Sequence, residues 1–144
     1  MSNLADVGHV IQVSVAPVFL LSGIGAVLSV LVARLGRIID RGRTLEDGQQ
    51  LAVVERKDRI QAELVALARR SKLIERAIVL STAAGFFVCL VIILLFVDYL
   101  IGFNISVPVA LSFLVAMLCL MAAFIQILRE VVLATAPLLR DARR

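Results

Sequence analysis

Tryptophan is missing from this chain, and tyrosine and histidine occur once each. A single imidazole cannot supply a histidine-rich metal centre. Nor can a Ser/His/Asp or Cys/His set be built around it, since His9 has only Asp6 as a nearby acid. An enzyme is not expected, and no catalytic residue, cofactor or metal ligand is assigned. The two cysteines, Cys89 and Cys119, both sit within apolar runs at different depths and read as structural thiols rather than a disulfide framework. Charge is scarce as well, at 18% of residues, where soluble domains carry about 25%. Apolar residues take its place: they make up 61% of the 144 residues, and mean hydropathy is +1.01. A water-soluble single domain, a disordered chain and a collagen-like chain are all excluded.

Three stretches contain no charge at all: Val10 to Ala33, Ala77 to Val97, and Tyr99 to Leu128. A helix rising about 1.5 Å per residue needs roughly 20 apolar residues to cross about 30 Å of hydrocarbon, so each stretch is a membrane span. The third is too long for one straight crossing, and Gly102, Asn104, Ser106 and Pro108 crowd its start. A turn is therefore expected over residues 98–106, then a span over 107–128 with Pro108 in its first turn, where a missing N–H costs nothing. The expected fold is an all-α integral membrane protein. Its segments are an outer N-terminus and first span (1–33), a cytoplasmic helical hairpin (34–76), a second span (77–97), an external turn (98–106), a third span (107–128) and a cytoplasmic tail (129–144). Pro17 is expected to kink the first helix and set off an outer piece, Val7 to Ala16, on which Gln12 and Ser14 face a pore or the interface.

The basic residues give the orientation. Arg34 to Arg76 holds 11 Lys/Arg and 7 Asp/Glu, the tail from Arg129 holds 4 and 2, and only Asp6 and Asp98 lie elsewhere. All basic residues fall on one side, which the positive-inside rule makes cytoplasmic; the expected location is the inner membrane, with the N-terminus outside and the C-terminus inside. A cleaved signal peptide is not expected, because no Lys or Arg precedes the first run. The net charge of +4 is not read as nucleic-acid binding, since no aromatic side chains alternate with these charges. Arg34, Arg37, Arg41, Arg70, Lys72 and Arg76 instead form a basic vestibule or meet anionic lipid headgroups.

Between the first two spans, helix-forming residues dominate, proline is absent, and Glu46, Asp47 and Gly48 form the strongest breaker. Apolar or small residues recur every three or four positions on both arms: Leu31, Leu35, Ile38, Gly42 and Leu45 going out, Ile60, Leu64, Leu67, Ser71, Ile74 and Ile78 returning. An antiparallel pairing with residue numbers summing to 109 sets Leu35 against Ile74, Ile38 against Ser71, Gly42 against Leu67 and Leu45 against Leu64, so that large faces small twice in the middle. It also brings Asp40 near Arg69 and Arg70, and Arg34 near Glu75. The returning arm is then longer, leaving Gln50 to Glu63 as an overhang whose Val53, Val54 and Ile60 either meet another copy of the chain, stay solvated or are covered by a loop reaching back. In the first span Gly25, Ser29 and Ala33 recur at intervals of four, as do Ser22 and Ala26, a pattern that lets helix backbones approach closely in lipid.

The run Ala16, Pro17, Val18, Phe19, Leu20, Leu21, Ser22, Gly23, Ile24, Gly25, continued by Arg34, Leu35, Arg37, Ile38, Ile39, Asp40 and Arg41, resembles the bacterial membrane family termed domain of unknown function 2721. That resemblance implies no activity, cofactor or catalytic residue. In topology alone, three spans with a helical extension after the first are similar to proton-channel subunits of the ExbB and TolQ type. A coupled transporter is not expected, because no span contains an ionisable residue. Two functions fit. One is a homo-oligomeric pore with a basic cytoplasmic vestibule. The other is a non-conducting scaffold or adaptor that offers its hairpin to a cytoplasmic protein partner.

Overall fold

The computed structural model is helical throughout the residues it describes, 2–50, 54–101 and 106–141, with side chains described mainly over 11–48, 57–100 and 106–134. Three helices make up the chain: α1 (Ser2–Gln50), α2 (Val54–Ile101) and α3 (Ser106–Asp141). All three are long and apolar enough to cross a membrane, with mean hydropathy of 2.4, 2.8 and 2.5 in their most apolar stretches. Helix is the conformation such runs must take, because hydrocarbon offers no partner for an unpaired backbone amide. At about 1.5 Å per residue, the 49, 48 and 36 residues of α1, α2 and α3 far exceed the roughly 30 Å of a hydrocarbon layer. α1 and α2 thus each have a membrane-length portion and a long charged continuation, and α3 continues past its apolar run with Arg129, Glu130, Arg140 and Asp141 as its charges.

The helices are more continuous than the sequence suggests. α1 runs unbroken through Pro17 and through Gly48 to Gln50. Pro17 is buried, and a proline within a spanning helix forfeits a single backbone bond, whereas unwinding would expose several to lipid. Gly48 costs about 1 kcal/mol relative to alanine in a helix interior, too little to end it. α2 likewise passes Asp98 and ends at Ile101, while α3 runs beyond Leu128 to Asp141. Pro108 does lie in the first turn of α3. Residues 102–105, including Gly102 and Asn104, lie outside the described residues.

A seven-residue repeat governs burial along each helix. On α1 it picks out Pro17, Ile24, Leu31 and Ile38; on α2, Ile60, Ile74, Ser81 and Val88; on α3, Ala116, Ala123 and Glu130, all of them buried. This is the spacing of a coiled-coil seam, in which a period of 3.5 residues keeps one stripe facing its neighbours.

The chain divides into two compact units. The first comprises residues 1–28 and 79–122, and its core is Ile24, Ala84, Val88 and Ala116, flanked by Leu20, Leu21, Leu28, Phe87, Ile92, Cys119 and Leu120. Gly85 is where these helices come close: a methyl group there would sit 3.6 Å from Leu21 Cδ1 and 3.7 Å from Ile24 Cγ2. Both cysteines are free. The outer surface is apolar, with Phe19 74% and Phe86 66% exposed, as expected of helices bathed in lipid. The second unit comprises residues 29–78 and 123–144. Leu31, Ile38, Ile60, Ile74, Ala77 and Ala123 are buried in it, together with one charged residue, Glu130.

Candidate functional site

Glu130 is 2% exposed, and its carboxylate is held from both sides within the second unit. Arg34 of α1 donates from Nη1 to Oε2 at 3.0 Å, and Arg70 of α2 donates from Nε and Nη2 to Oε1 at 3.1 and 2.7 Å. The seams set this meeting. Arg34 stands three residues after Leu31 and four before Ile38, Arg70 four before Ile74, and Glu130 seven after Ala123, so each group projects from the packed side of its helix. One turn before Glu130, the buried carboxamide oxygen of Gln126 has no hydrogen-bond partner.

Burying a lone carboxylate costs several kcal/mol, a penalty offset only when charged donors satisfy its oxygens. Here one arginine serves each oxygen. The Arg34 and Arg70 side chains are themselves 38% and 32% exposed, so their outer N–H groups remain accessible while the inner ones grip the carboxylate. Two guanidinium groups on one carboxylate leave the cluster with a net positive charge.

A second ion pair joins α1 to α2, where Arg41 donates from Nε and Nη2 to Glu63 Oε1 at 3.1 and 2.9 Å. Both partners are about half exposed, and such pairs contribute only about 0–1 kcal/mol. This pair fixes the register nonetheless. Arg41 with Glu63, and Arg34 with Arg70 across their shared carboxylate, have residue numbers summing to 104, not 109. The gap between α1 and α2, residues 51–53, is centred on half that sum, so the two arms are matched in length.

Several expectations change with the register. Arg34 meets Glu130 rather than Glu75, and Arg70 meets Glu130 rather than Asp40. No Leu67 side chain presses on Gly42, where an added Cβ has no atom within 4 Å. Ile60 is not part of an uncovered overhang but is buried at 8% exposure; Val53 and the Val54 side chain lie outside the described residues. Ser14, a candidate pore or interface residue, is buried. Of the residues expected to pair the two arms, Ile38 and Ile74 are buried, and Leu35, Gly42, Leu45, Leu64, Leu67 and Ser71 are half-buried. The Ser71 hydroxyl donates to the Ala68 carbonyl.

The basic residues separate into two groups. Arg34, Arg37, Arg41 and Arg70 line an open cleft of about 320 Å³ with Ile38, Leu67 and Glu130. Lys72 is exposed elsewhere, and Arg76 joins Arg129 along a more apolar groove with Leu73, Leu128, Val132 and Leu133. Among the described residues, no group of three His, Cys, Asp or Glu residues is placed to hold a metal. The five small residues Ser22, Gly25, Ala26, Ser29 and Ala33 are all exposed, and a Cβ at Gly25 would meet nothing.

Glu130 itself escaped sequence reading, where it counted as one charge of a solvated tail. Its signal was present: it continues the seven-residue spacing of Ala116 and Ala123 past the end of the apolar run.

Three apolar, membrane-length helices define a multi-pass membrane protein. The chain belongs to the family described as protein of unknown function (DUF2721), whose model matches residues 14–139. No curated protein and no solved structure matches it.

Proposed function

We propose that this protein works by assembly: a homo-oligomer of the bacterial inner membrane that acts as a scaffold, its basic helical hairpin presented to a cytoplasmic protein partner. The observation that carries this reading is the small-residue face of α1. At about 100° per residue, Ser22, Gly25, Ala26, Ser29 and Ala33 share one side of the helix, opposite the buried seam of Ile24, Leu31 and Ile38. All five are exposed, and a Cβ added at Gly25 would meet nothing within 4 Å. In lipid, association depends on close backbone approach, which small residues permit and large ones prevent. A second copy offers the same face in the same orientation, and cyclic symmetry keeps every hairpin on one side of the membrane. The positive-inside rule makes that side the cytoplasm.

A pore is the second reading. The hydroxyls of Ser22 and Ser29 lie on the exposed face, and the core of the first unit is filled by Ile24, Ala84, Val88 and Ala116, so any water-filled path would run between copies. Native mass spectrometry in mild detergent and in nanodiscs tests the assembly. A defined oligomer is expected, reduced to monomer by Gly25→Leu with Ser29→Leu. A wild-type chain that stays monomeric in both media overturns the proposal. Ion flux in liposomes separates the readings: none is expected of the scaffold.

A further inference from the structure

The open cleft of the second unit contains more positive charge than the hairpin needs. Its lining holds four arginines, and two carboxylates answer them: Glu130 binds Arg34 and Arg70, and Glu63 binds Arg41. Two positive charges remain uncompensated. Arg37 is exposed and has no carboxylate partner among the described residues, so all of its N–H donors are available. Arg34 commits only Nη1 to Glu130, while Arg41 and Arg70 each keep Nη1.

We infer that this cleft is a binding site for a phosphate group, gripped by Arg37 and Arg41 together with the free edges of Arg34 and Arg70. Glu130 is the positioning residue: by holding one donor of Arg34 and two of Arg70, it fixes both guanidinium planes before an anion arrives. Guanidinium suits this task, since its rigid planar donors match the oxygens of phosphate and it stays charged at every relevant pH. Glu130 already shows that Arg34 and Arg70 converge on an oxyanion. Ile38 and Leu67 give the cleft an apolar wall, which lowers the local dielectric and strengthens the pairing.

The phosphate can come from a lipid headgroup or from a soluble phosphorylated compound, and position favours the lipid. Arg34 is the first charge after the uncharged run ending at Ala33, and Glu130 comes two residues after the run ending at Leu128. Arg37 and Arg41 follow Arg34 by about one and two helical turns, so the cleft begins where hydrocarbon gives way to the headgroup layer. This site does not depend on self-association, since all its residues belong to one chain.

The test uses the full chain in nanodiscs of neutral phosphatidylcholine, with and without phosphatidylglycerol. Lipids retained after detergent extraction are counted by native mass spectrometry, and melting is followed with added inorganic phosphate. Wild type should retain phosphatidylglycerol in preference to phosphatidylcholine. Arg37→Gln should weaken that retention by about tenfold, the loss of one charge-assisted contact. Lys72→Gln, which removes an exposed charge outside the cleft, should leave it unchanged. Arg37 makes no ion pair among the described residues, so its variant should melt with wild type in neutral nanodiscs. If inorganic phosphate raises the melting point in neutral nanodiscs and Arg37→Gln abolishes the rise, the site stands and its ligand is soluble. Equal losses from Arg37→Gln and Lys72→Gln would mean diffuse surface charge only and would overturn the inference, as would indifference to both probes.

Discussion

Replacing Glu130 by Gln keeps the shape of the side chain and removes the anion that two arginines share. Its side chain is only 3% exposed, so solvent contributes little to its stability. Hydrogen bonds to charged groups contribute about 1.5–3 kcal/mol each, and three bonds converge on this carboxylate, though not additively. Breaking a buried pair costs about 3–5 kcal/mol in general. Arg34 and Arg70 are about one-third exposed and can be partly rehydrated, which lowers the expectation to about 2–4 kcal/mol. That destabilisation should be local. Hydrogen exchange read by mass spectrometry in detergent should quicken by about 30- to 1000-fold in peptides around Arg34, Arg70 and Glu130. The control is Glu63→Gln, which removes an equally direct contact from an exposed pair and should change exchange by about fivefold or less. A further variant replacing Arg34 and Arg70 by Met and Glu130 by Leu should recover much of the loss, because apolar groups of similar volume need no counter-charge. Equal exchange in Glu130→Gln and Glu63→Gln would refute the argument that burial, not contact alone, gives the cluster its weight.

In the first unit, Gly85→Ala should be neutral or mildly stabilising, since the methyl meets Leu21 and Ile24 at ordinary contact distance, whereas Gly85→Leu should cost about 1–3 kcal/mol by overpacking. The chain has no tryptophan, so melting is best followed by far-ultraviolet circular dichroism and light scattering. Gly42→Leu should cost less than Gly85→Leu, because nothing stands near the Gly42 Cβ position; a larger loss would restore the 109 pairing. For orientation, cysteines placed at Gln50 and Arg144 should be shielded from an impermeant thiol reagent in intact cells, and one at Asn104 should react. Labelling at Gln50 would reverse the topology.

The number of spans was legible because one physical quantity decides it: a hydrocarbon layer about 30 Å thick demands roughly 20 apolar residues, and the chain offers such runs three times. The burial of Ile38 and Ile74 was legible in the 3,4 spacing, since a helix's own period assigns its faces. Register was not. Moving from 109 to 104 exchanges one set of half-buried contacts for another on the same two faces, and local propensity carries no term for which wins. Gly48 pointed the wrong way, because its small helix penalty is outweighed by the continuity that packing and matched arms reward. The partners of Glu130 lay further from reach, being 96 and 60 residues away in sequence. Charge counting placed Glu130 among solvated residues, and the adjacent Arg129 gives no hint of the two arginines on other helices that bind it. Only the meeting of three helices puts two arginines within 3.0 Å of one carboxylate, and only that meeting turns a row of interfacial basic residues into a cleft with charge to spare.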